Sequence, residues 1–138
     1  MPFEVDASAP SPDLEQLMVG YQRGDASAAR ALIDQLSKPS GISDEEAIER
    51  GIKIIERAMH SRMTEVEVFR FPNQLCTDKG RAIIQQEPGW EKTLTGAPKE
   101  IYQLWEKYFR PRGYKLKVQI VDYPDGMPGD IGMTLSWA

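Results

Sequence analysis

Near Met63 the repeat of apolar side chains changes from about 3.6 residues to 2, so the chain must build helices first and a sheet second. Upstream, Ile48, Ile52, Ile55 and Met59 form a stripe at helical spacing, widened by Ala47, Ile54 and Ala58. Downstream, Val66 and Val68 alternate with Glu65 and Glu67 as in a strand. Phe69 and Phe71 then fall on the glutamate side of that alternation, which predicts a strand end covered on both faces. Pro72-Asn73 stops the strand, and Cys76 follows, ahead of a short helix over about 78–86.

The residues before this switch read as three helices. Residues 1–10 form a lead-in without apolar periodicity, and Ser11-Pro12 has the chemistry of an N-cap and first helical position. Leu14, Leu17, Met18 and Tyr21 share one face, Gly24-Asp25 breaks the helix, and Ala29, Leu32, Ile33 and Leu36 repeat the pattern. Ser43 and Glu46 have capping-box spacing at the start of the third helix. Gly51 inside that helix costs about 1 kcal/mol relative to alanine and marks a close crossing.

After the switch, Ala97–Phe109 reads as a helix closed by Pro111 and Gly113. Tyr114, Leu116, Val118 and Ile120 alternate with polar residues, the PDGMPG segment turns the chain, and Ile131, Met133, Leu135 and Trp137 complete a hairpin. The expected fold is α+β: three N-terminal helices followed by a β-α-α-β-β unit with a small, mainly antiparallel three-stranded sheet. Two helices between the first and second strands predict that these strands run in opposite directions. The helical segment 11–62 is expected to dock on an α+β core at 63–138 as one domain, since about 60 residues of short helices are marginal alone.

Composition narrows the function classes. Among 138 residues the formal charge is −4, and all of the deficit lies in residues 1–62, with 7 bases against 11 acids. An acidic chain lacks the basic excess that non-specific nucleic-acid or anionic membrane binding requires, so neither partner is expected. One cysteine and one histidine supply neither an internal disulfide nor a zinc ligand set, and no metal or other cofactor is expected. The lone cysteine and the absence of a basic, apolar leader in the opening residues predict a cytoplasmic location.

Candidate sites concentrate around the loop after the first strand. A thiol at Cys76 near a helix start, with Lys79 and Arg81 close in sequence, has the surroundings that lower a cysteine pKa. The strand-Pro-Asn-x-x-Cys-helix layout resembles the nucleophile loops of thioredoxin-like and arsenate-reductase-like proteins, without their CxxC partner or β-α-β beginning. The same turn offers a small anion the helix-start amides with Asn73, Thr77, Asp78, Lys79 and Arg81, and Trp90 as a pocket wall. Asp78 competes for those amides as a cap.

A basic run, Lys107, Arg110, Arg112, Lys115 and Lys117, is free of acids and suits an acidic partner or a solvated edge strand. Asp122, Asp125 and Asp130 flank the hairpin loop in a spacing that matches no EF-hand. Met127 at the loop tip suits contact with another surface. The leading expectation is therefore a non-catalytic or regulatory binding module, partnered by a protein or by itself. Its contact surface would be the 72–81 loop and the 124–130 hairpin, with Lys107, Arg110 and Arg112 as further partner contacts; the alternative is a thiol enzyme or redox protein using Cys76.

Overall fold

The computed structural model describes residues 14–38 and 41–137, so the 1–10 lead-in and the Ser11-Pro12 helix start lie outside the described residues. The described chain forms α1 (Leu14–Gln22), α2 (Ala26–Leu36), α3 (Asp44–His60), β1 (Glu65–Phe71), α4 (Arg81–Ile84), α5 (Gly96–Leu104), β2 (Lys115–Ile120) and β3 (Ile131–Ser136). This is the expected α+β class, with the element order read from the periodicity. It divides into two compact units, residues 1–35 and 36–138.

In the first unit Asp25 caps α2, accepting from the amides of Ser27 at 2.9 Å and Ala28 at 3.2 Å. Gly20 lets the two helices approach closely: a Cβ there would lie 2.6 Å from that of Ala28. In the second unit Ser43 caps α3 by accepting from Glu46 N at 3.2 Å, as the capping-box spacing predicts. Gly51 marks the crossing expected of it, since a Cβ at that position would be 3.3 Å from the Phe109 ring.

The sheet has the order β1-β3-β2, with β3 antiparallel to both neighbours. β1 and β2 therefore run in the same direction, contrary to the expectation that they oppose each other. The reason is the long helical stretch from Gly96 through a widened π turn at Trp105–Phe109. At about 1.5 Å per residue it matches the length of a strand and carries the chain back to the end where β1 began. The result is a split β-α-β arrangement whose gap β3 fills.

A second correction concerns the end of β1. The ladder slips by one residue between Glu67 and Phe69, so Val68 is the extra residue of a β-bulge. The bulge reverses the alternation and returns Phe69 and Phe71 to the face of Val66, opposite Met133 and Ile131. One sheet face thus carries Val66, Phe69, Phe71, Ile131, Met133, Leu135, Leu116, Val118 and Ile120. β3 is its centre, with Ile131 and Met133 fully buried.

α3 packs on β1 and α4 on β2. Around Leu135 the core gathers Ile55, Phe109, Val68, Trp105, Tyr114, Leu116 and Trp137. The opposite face is polar, bearing Glu65, Glu67, Arg70, Lys115, Lys117 and Gln119 over the small residues Gly132, Thr134 and Ser136. Among the described residues no helix is long and apolar enough to cross a membrane.

Candidate functional site: a braced hairpin beside the first-strand loop

The loop between β2 and β3 is built from short local bonds. Val121 N donates to Asp130 O at 2.9 Å and Gly129 N to Asp122 O at 3.0 Å, which carry the pairing of the two strands outward past the ends of the sheet. Asp125, with φ 53°, and Gly126, with φ +80°, then reverse the chain in the left-handed conformation that Asp and Gly accept most readily. Gly129 has room for no side chain, as a Cβ there would collide with the Asp122 carboxylate and lie 2.6 Å from Pro124 Cδ.

Arg70, on the polar face near the end of β1, locks this loop from below. Its Nε donates to Asp130 Oδ2 at 2.8 Å and its Nη2 to Asp122 Oδ2 at 3.0 Å. Asp122 Oδ1 in turn accepts from Asp130 N at 2.6 Å. Asp130 is only 2% exposed, so its charge relies on these bonds rather than on water. The hydrogen bond to Asp130 raises the Arg70 pKa; burial opposes this, and the charges of Asp130, Asp122 and Glu67 add to it.

Asn73 braces the loop from the other side, its Nδ2 donating to the carbonyls of Pro128 and Gly129, each at 3.0 Å. The structure thus brings the 72–81 loop and the 124–130 hairpin together, with Asn73 as the link. Two large side chains stay outside the brace: Tyr123 is 59% exposed and Met127 66%. Every buried side-chain nitrogen and oxygen among the described residues is hydrogen-bonded, so this network holds shape.

The other sequence candidates occupy different situations. Cys76 is buried at 2% exposure and pairs with Leu94 in an isolated bridge. Burial pushes its thiol up to about 11; a hydrogen bond with Thr93 opposes the rise and the charge of Asp78 adds to it. The thiol is therefore protonated near neutral pH. The helix expected directly after it is reduced to α4, which starts five residues later at Arg81.

The amides at that helix start are taken by Asp78, whose carboxylate accepts from Gly80 N at 3.0 Å and Ala82 N at 2.9 Å. Arg81 pairs with Glu87 at 2.6 Å and Gln85 at 3.2 Å, and Thr77 and Lys79 are exposed. Trp90 meets Tyr102 edge-on at 5.6 Å between ring centroids. Burial and the charges of Glu106 and Glu91 raise the Tyr102 pKa, with Arg110 opposing.

The basic run is dispersed over several contacts. Lys107 reaches Asp44 at 3.9 Å, Arg110 lies over Trp105 at 5.5 Å and 3.4 Å from Glu106, and Lys117 lies 3.4 Å from Glu65, while Arg112 is exposed. Among the described residues no cluster of three or more His, Cys, Asp or Glu stands ready to hold a metal ion. Asp122 and Asp130 are instead engaged by Arg70.

Sequence reasoning did not single out Arg70, the residue on which the brace turns. Its signal is a charged residue between two phenylalanines in a strand, with three aspartates around a later hairpin. No family model matches the chain, and neither a curated protein nor a solved structure matches it.

Proposed function

We propose that this chain is a non-catalytic or regulatory binding module that contacts a protein partner through the 124–130 hairpin and the adjoining 72–81 loop. The supporting observation is the combination of a loop fixed by the pairing of Arg70 with the buried Asp130 and two exposed apolar side chains, Tyr123 and Met127, at its surface. Tyrosine and methionine are enriched at the centres of protein interfaces. A loop already held in shape avoids much of the ordering cost of binding, about 0.5–1.5 kcal/mol for each side chain that would otherwise be immobilised. The unpaired, buried cysteine is compatible with the reducing conditions of a cytoplasmic location.

The partner to test first is a second copy of the chain. Light scattering over a concentration series is expected to give a mass above 15.6 kDa that rises with concentration. Met127→Asp and Tyr123→Asp are expected to lower it to that of the monomer without changing the melting temperature. A photo-crosslinking residue at position 127 should form more protein adducts in cells than one at Lys99. A monomer at every concentration, together with equal crosslinking at the two positions, overturns the proposal.

A further inference from the structure

Among the described residues, the far edge of β2 offers an unpaired strand with a distinct chemistry on each of its faces. β2 is an edge strand, and among the described residues no strand or loop pairs with Lys115–Ile120 on the side away from β3. It is regular over all six residues, whereas the other edge strand, β1, is interrupted by the bulge at Val68. A straight edge is the surface to which an extended peptide adds, using backbone bonds for affinity and alternate side chains for specificity.

The two faces of β2 define such a peptide. On the core face Leu116, Val118 and Ile120 are only half-buried, although the β3 residues beside them, Leu135, Met133 and Ile131, are 5%, 0% and 0% exposed. A further strand would bring apolar side chains alongside all three. On the solvent face Lys115 and Lys117 are exposed, and the contact of Lys117 with Glu65 joins two groups each 51% exposed, a pairing that an incoming carboxylate can replace at little cost. The same lysines oppose antiparallel pairing of this edge with its copy, which would set lysine against lysine.

We infer that the β2 edge accepts an extended segment in which apolar and acidic residues alternate, the apolar set continuing the core and the acidic set meeting Lys115 and Lys117. This rests on the sheet and is independent of the Tyr123 and Met127 surface.

The test uses the full chain and two fluorescein-labelled decapeptides, one alternating glutamate with valine and one alternating lysine with valine. The acidic peptide is expected to bind about tenfold more tightly, and less so as salt is raised. It should also slow amide exchange in β2. Lys115→Glu with Lys117→Glu is expected to reverse the preference, and Lys115→Gln with Lys117→Gln to abolish it, with melting temperatures checking that both variants are folded. Equal binding of the two peptides, binding that leaves β2 exchange unchanged, or no binding of either peptide overturns the inference.

Discussion

At the scale of single residues, Asp130 and Cys76 show how burial sets opposite roles for two polar groups. Arg70 Nε donates to the buried Asp130 carboxylate at 2.8 Å, and Asp130→Ala leaves the guanidinium with the Asp122 hydrogen bond and the charge of Glu67. Arg70 is itself 31% exposed, and water screens part of the loss. The expected cost is about 1–3 kcal/mol in urea unfolding, with faster amide exchange at Gly129 and Asp130 as its local sign. Cys76 has no such cation, and burial pushes its thiol from 9.0 up to about 11.

A raised folded-state pKa means that the unfolded chain loses this proton first. The stabilisation is complete below the unfolded value and disappears as pH rises through the folded one, so stability falls between about pH 9 and 11, by about 2–3 kcal/mol. Unfolding free energies measured across that range should decline more steeply in the wild type than in Cys76→Ala. Alkylation of the native thiol near neutral pH is expected to be slow and to become fast on unfolding. Rapid alkylation there would instead support the thiol-enzyme alternative.

At the scale of elements, the bulge at Val68 decides which face the end of β1 presents. Deleting Val68 removes the extra residue and leaves Val66, Phe69 and Phe71 on the core face in strict alternation with Glu67 and Arg70, and the expected result is cooperative unfolding at a lower urea midpoint, because the packing of Val68 on the Leu135 cluster is lost. Gly132 is similarly constrained, since a Cβ there would lie 2.6 Å from Val121 Cγ1 and 2.9 Å from Glu67 Oε2. Gly132→Ala is expected to destabilise by about 1–3 kcal/mol, read from the urea midpoint. Ser43→Ala removes the α3 cap at an expected cost of about 1 kcal/mol, which helix content and urea midpoint together would show.

At the scale of the whole molecule, residues 36–138 contain the complete sheet, α3 and the braced hairpin. A chain beginning at Leu36 is therefore expected to keep the dispersed amide spectrum of the sheet, and a collapsed spectrum would show that residues 1–35 are needed for it. The periodicity switch at Met63, the Ser43–Glu46 cap, the Gly51 crossing and the alternation in β2 and β3 are local properties of the chain, so the sequence alone determined the order and type of its elements. It also placed Asn73 and Met127 in loops that prove to be neighbours, because each loop is marked by its own turn residues. The relative direction of β1 and β2, the bulge at Val68 and the pairing of Arg70 with Asp130 each depend on residues distant along the chain. A one-residue slip in a ladder and an ion pair across 60 positions leave no local periodic trace, and only the packed sheet decided them.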